Sequence, residues 1–206
     1  MKVPIWPAIM GLCLAGAGLG WALTLVSGLP ASVYLYEGGR LMALLGFVFL
    51  AFQFLWVSRF GFVQADMAPG QPVRLHRRWG LIAVVLLLLH PSLLVTSEAL
   101  QGYGSPMGVL KILGILALAL LLAAGFAALL ARRLRLKVRT WKGVHRLAYA
   151  VFPLAFAHSF LLGTTLHKPA VRAGWILLAL LYLAHVYRRL SRRSASPPPS
   201  EAGRSS

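Results

Sequence analysis

The chain has 206 residues, 59% hydrophobic and only 12% charged. Soluble domains average roughly 45–50% apolar and about 25% charged residues, so a soluble fold is excluded and an all-α integral membrane protein is expected. The net charge of +17, from 21 Lys and Arg against 4 Asp and Glu, sits in loops beside apolar blocks, which reads as membrane topology and lipid contact and not as nucleic-acid binding.

Apolar blocks of about 20 residues, long enough to cross the hydrocarbon core as helices, predict six spans. They lie near residues 5–26, 40–57, 79–100, 108–130, 144–162 and 170–187. The first follows Lys2 and holds small residues such as Ala15 and Ala17, as a signal peptide would, but its apolar run continues through Trp21 and Leu25. Cys13, the only cysteine, lies within it, which excludes an intrachain disulfide, a thiolate zinc site, an iron–sulfur cluster and covalently attached haem. Met10, Gly11 and Leu12 before it do not form a lipoprotein site. Arg40 opens the second span within the stretch YEGGR. The loop before span five carries Arg132, Arg133, Arg135, Lys137, Arg139 and Lys142 without an acid, which suits lipid or an acidic partner.

Of the 21 basic residues, 17 fall on one side of this arrangement, leaving Arg40, Lys111, Lys168 and Arg172 on the other. The positive-inside rule then places both termini in the cytoplasm, and in a bacterium the membrane is the inner one. Residues 1–190 are expected to form one six-span unit. Residues 191–206, with Pro197, Pro198 and Pro199 among serines, are expected to be a disordered tail.

Four of the six histidines form two pairs, His76 with His90 and His145 with His158, on spans three and five. Both spans run outward, and separations of 14 and 13 residues put the second members about 20 Å beyond the first. His76 and His145 then share an inner level, and His90 and His158 an outer one. Facing imidazoles on neighbouring helices can supply the two axial ligands of an iron porphyrin, so two levels imply two b-type haems between spans three and five. The angular fit is uneven, because 14 residues at about 100° each return to within roughly 40° of the same face, whereas 13 leave a mismatch near 140°. Pro153 lies between His145 and His158, where a kink can change that angle. A lone membrane histidine is more often a satisfied polar group at a helix crossing; four at two matched depths favour function.

The segments LHRRWGLIAVVLLLLHPSLL, from Leu75 to Leu94, and KGVHRLAYAVFPLAFAHSFL, from Lys142 to Leu161, resemble the ferric reductase-like transmembrane domains. That family includes ferric reductases, NADPH oxidase membrane domains and MsrQ-type haem subunits. The resemblance implies that His76, His90, His145 and His158 ligate an inner and an outer haem b, with electrons passing from the cytoplasmic side outward. MsrQ-type members often carry a basic residue at the position of His76, which moves this chain toward the reductase and oxidase branch. The oxidases tend to carry a further histidine where this chain has Leu94, so superoxide production is not implied.

Larger members of the family continue into FAD and NAD(P)H domains. This chain has no glycine-rich dinucleotide motif, so no FAD or NAD(P)H site is expected and its electrons must come from a separate flavoprotein or from quinol. The acceptor is expected on the outer face, either a ferric chelate or a periplasmic protein partner. Arg74, Arg77, Arg78 and Arg146 cluster near the inner histidines and are candidates for haem propionates, or else ordinary positive-inside residues. The resemblance also places an arginine at Arg40, near the outer haem. Phe152 and Phe156 read as core packing, and His167 and His185 as non-ligands. The competing class is a non-redox transporter whose histidines carry protons or metal ions. Against it, Glu37, Asp66, Glu98 and Glu201 all fall at span ends, in loops or in the tail.

Overall fold

The chain's architecture is taken from a computed structural model, which describes residues 5–58, 60, 63, 67–131 and 133–194. Among the described residues these helices follow in order: α1 (Ile5–Ala22), α2 (Ala31–Val57), α3 (Gln71–Leu100), α4 (Val109–Leu130), α5 (Val138–His145), α6 (Ala148–Leu162) and α7 (Pro169–Ser194). A 3₁₀ turn, Thr164–His167, joins the last two, and no strand occurs among the described residues. Among the described residues five helices, α1 to α4 and α7, are long and apolar enough to cross a bilayer, which makes this a multi-pass membrane protein.

The fifth expected span differs from the other five. It is divided between the end of α5 and the 15 residues of α6, and α6 alone rises only about 22 Å, less than the roughly 30 Å hydrocarbon core. Other boundaries move outward. Helix α2 starts at Ala31, so Arg40 lies inside it and not at its start. Glu37 and Arg40 do not break the helix because they pair with each other one turn apart, at 2.6 Å. Helix α3 begins at Gln71, with Pro72 in its first turn, and keeps Arg74, Arg77 and Arg78 on an exposed face. Helix α7 continues through Ser194, four residues into the expected tail; residues 195–206 lie outside the described residues.

The helices pack chiefly as two antiparallel pairs, α2 with α3 and α4 with α6, while α2 also meets α1 and α7. Helix α2 is the hub and is buried without interruption from Gly46 to Trp56. Its contact with α3 is close because position 46 has no side chain: a Cβ there would lie 2.8 Å from Leu87 Cγ. Small residues at such crossings replace the hydrophobic drive that lipid does not supply. Aromatic rings fill the space between α2, α6 and α7, with Phe47 stacked on Trp175 at 5.0 Å and Phe152 on Tyr182 at 4.3 Å. Phe152 and Phe156 belong to or border this cluster, as core packing requires.

Candidate functional site

The site is assembled from facing histidines on α3 and on the α5–α6 segment. The His76 and His145 ring centroids are 6.0 Å apart and those of His90 and His158 6.2 Å apart, with ring planes at 87° and 66°. The two pairs expected from chain position are thus the two pairs that meet in space.

The angular mismatch between His145 and His158 is reduced where α5 gives way to α6 and not by Pro153 alone. The N–H groups of Arg146, Leu147, Tyr149 and Ala150 each reach a carbonyl three residues back, at 2.9 to 3.2 Å. Such 3₁₀ winding turns about 120° per residue instead of about 100°, so the turn at Arg146 and Leu147, between the end of α5 and the start of α6, rotates the chain in the direction that reduces the mismatch. Pro153 leaves the Tyr149 carbonyl without its usual helical donor. The Tyr182 hydroxyl on α7 donates to that carbonyl at 2.6 Å and satisfies it.

Hydrogen bonds orient three of the four rings. His90 Nδ1 lies 3.0 Å from the Gly39 carbonyl, His158 Nδ1 2.7 Å from that of Leu110, and His145 Nδ1 3.2 Å from that of Ala124. A carbonyl only accepts, so Nδ1 carries the proton in each ring and the Nε2 lone pair is left for a ligand. His76 departs from this pattern. Its ring lies against the Gln53 main chain, but its buried Nδ1 has no hydrogen-bond partner among the described residues, and neither does Gln53 Oε1.

The acceptors lie on the helix paired with each histidine's own, α2 for His90 and α4 for His145 and His158. At the outer level the approach depends on Gly114, where a Cβ would sit 2.8 Å from both Nδ1 and Cε1 of His158. Sequence reading missed Gly114; its spacing of four from Leu110 was the available signal, but it carries no meaning until α4 is known to face His158.

An imidazole nitrogen bonds a first-row metal at about 2.0 Å, with the ring centre about 1.2 Å behind it, so one atom between two facing imidazoles places the centroids about 6.4 Å apart. The observed separations are a few tenths of an ångström shorter. Among the described residues no group of three or more His, Cys, Asp or Glu gathers to hold an ion. Two protein ligands per level suit a metal that arrives with its own equatorial ligands, as in a porphyrin, better than a bare ion such as zinc.

Around the inner pair, Arg74, Arg77, Arg78 and Arg146 are exposed and make no ion pair among the described residues. Arg40 behaves otherwise. Its Nη1 donates to both Glu37 oxygens at 2.6 and 2.7 Å and its Nη2 to Thr165 Oγ1 at 2.7 Å. Arg40 adjoins Gly39, the acceptor for His90, so it stands beside the outer level with its guanidinium already engaged. His167 is exposed in the 3₁₀ turn. His185 is buried, and its Nε2 lies 3.2 Å from the Tyr149 hydroxyl.

Residues 42–156, more than half of the chain, match the family described as ferric reductase like transmembrane component. The chain belongs to the ferric reductase-like transmembrane family. The matched stretch contains His76, His90 and His145, begins two residues after Arg40 and ends two before His158. Membership makes this multi-pass protein a membrane oxidoreductase component of the ferric reductase-like, transmembrane electron-transfer kind. No curated protein and no solved structure matches it.

Proposed function

We propose that this ferric reductase-like protein is a transmembrane electron-transfer subunit with two bis-histidine b haems. The inner haem is held by His76 and His145 and the outer by His90 and His158. The observation that carries the reading is the pair of facing imidazole couples, 6.0 and 6.2 Å between centroids, with no third ligating side chain at either level among the described residues. When bound, haem supplies one-electron iron redox chemistry.

This chain's residues supply the rest. The carbonyls of Gly39, Ala124 and Leu110 hold three imidazoles in the tautomer that offers Nε2. Arg74, Arg77, Arg78 and Arg146 offer cations to inner propionates. Arg40, fixed by Glu37 and Thr165, is a positioned hydrogen-bonding group beside the outer level. The α5–α6 segment counts as the fifth of six spans, with one haem-binding unit that runs to the end of α7 at Ser194 instead of stopping at residue 190, the remaining residues as a tail, and both termini in the cytoplasm of an inner-membrane protein.

The donor is a cytoplasmic flavoprotein or a membrane quinol, and the acceptor lies on the outer face. A non-redox metal transporter is disfavoured because a transported ion would meet only two ligands at either level.

The test is a dithionite-reduced minus oxidised visible spectrum of the purified protein, with haem per chain quantified, repeated for His90→Ala and His145→Ala. Two b-type haems are expected, each variant losing a different one. A protein made with ample haem and showing no Soret absorption would overturn the proposal.

A further inference from the structure

Among the described residues three buried side-chain polar atoms have no hydrogen-bond partner: Gln53 Oε1, Trp56 Nε1 and His76 Nδ1. All three lie where α2 ends and α3 begins, and two of them are complementary. An amide oxygen only accepts, whereas the Nδ1 of a histidine that offers Nε2 to a metal carries a proton to donate. The sense of the Gln53 amide is fixed, because its Nε2 lies 3.0 Å from the Phe49 carbonyl, which can only accept. Gln53 itself is 8% exposed.

The register of the two helices aims this side chain at the inner histidine level. Three layers, seven residues apart, join α2 to α3. A Cβ at Gly39 would meet Leu94 and one at Gly46 would meet Leu87, but at the third layer the roles reverse, with a Cβ at Gly80 3.1 Å from Gln53 Oε1. A leucine at position 53 would continue the apolar packing, so a buried amide with an unmet oxygen costs free energy that a donor must offset. His76 is the donor at hand. It lies one turn before Gly80 on the same face of α3, and its ring lies against the Gln53 main chain. Acceptors on α2 also keep step with ligands on α3: Gln53 follows Gly39, the acceptor for His90, by 14 residues, and His76 precedes His90 by 14.

We propose that Gln53 is the positioning residue of the inner site, its amide oxygen accepting the Nδ1 proton of His76 as main-chain carbonyls do for the other three rings. The two atoms are not in bonding contact as the side chains stand; one buried water or a small turn of the ring closes the link, with the same donor and acceptor in either case. An acceptor at Nδ1 raises the basicity of Nε2 and so favours ferric iron. That effect on potential rests on the proposed haem ligation, whereas the hydrogen bond can be read without haem.

The full chain, isotopically labelled at the histidine nitrogens, is first measured by NMR free of haem. His76, assigned from the resonances that His76→Met removes, is expected to carry its proton on Nδ1. In Gln53→Leu it should pass to a mixture of tautomers while His90, His145 and His158 keep theirs. The same proteins are then loaded with haem and titrated for potential. Gln53→Leu should raise the inner midpoint by about 59 mV, a tenfold loss of ferric over ferrous preference, and leave the outer one in place. Gln53→Glu, which keeps an acceptor oxygen, should not raise it. Where Gln53→Leu folds poorly, Gln53→Asn, whose shorter side chain withdraws the oxygen, takes its place with the same expectation. An Nε2 proton on His76 in the unaltered chain would overturn the proposal. So would an unchanged His76 tautomer in Gln53→Leu, which would assign the proton to the Gln53 main-chain carbonyl, or an inner potential that stays fixed or moves equally with the outer one. A chain that takes up no haem overturns the haem reading alone and leaves the NMR measurement to decide this one.

Discussion

Replacing Gly114 with alanine tests the outer site at the point where it is most tightly built. The added methyl carbon would lie 2.8 Å from Nδ1 and Cε1 of His158, where ordinary contact begins at 3.4 Å. The ring must therefore retreat by about 0.6 Å or more, or α4 and α6 must separate by a similar distance. Overpacking of this kind costs about 1–3 kcal/mol, and stretching the 2.7 Å bond from His158 to Leu110 adds to it, with hydrogen bonds of this type contributing about 1 kcal/mol. Loss of a supporting contact to a ligating histidine lowers metal affinity about 10–100-fold. The expected outcome is haem content falling from about two to about one per chain, the remaining spectrum matching that of His158→Ala. Gly125→Ala, on the same helix but with only Val84 at 4.0 Å, is the control and should retain both haems. A Gly114→Ala protein with two haems and an unchanged low-spin spectrum would refute the claim that His158 is held in this pocket to ligate metal.

Further consequences can be measured separately. Tyr182→Phe removes the donor for the carbonyl left open by Pro153 and should lower stability by about 1–3 kcal/mol, read as a lower detergent melting temperature. Glu37→Gln leaves the Arg40 guanidinium, 16% exposed, without its carboxylate. It should melt lower than the double variant Glu37→Gln with Arg40→Gln, since an unpaired buried charge costs more than losing the pair; equal melting would show that the pair is not coupled. His76→Met should retain a six-coordinate inner haem at a higher midpoint potential, because thioether ligation favours ferrous iron; redox titration against the unaltered protein reads the shift.

The histidine pairs were legible in the sequence because depth in a membrane helix is linear in residue number. Separations of 14 and 13 are enough to match levels, and no long-range packing knowledge is required. Direction was less legible than depth. The 3₁₀ winding from Arg146 to Ala150 has no glycine or proline within it to announce it, so Pro153 drew the expectation of a kink. What the proline leaves behind is a carbonyl that a hydroxyl from a distant helix satisfies. Helix starts were misjudged for a related reason. Arg40 read as the first residue of the second span and Glu37 as lying just outside it, yet as an ion-paired couple both are accommodated inside the helix. The His185 and Tyr149 contact spans 36 residues and was beyond any local pattern.

The pairing of α2 with α3 and of α4 with α6 bears on how the protein is made. Each helical hairpin emerges from the ribosome as a unit and carries one histidine for each level, together with the carbonyls that orient His90, His145 and His158. After the first three helices are synthesised, the chain possesses two half-sites and no complete one. Neither pair can meet until the α5–α6 segment is inserted beside α3, so under the proposed function cofactor loading would be a late event in biogenesis and a check that both hairpins have met in the right register.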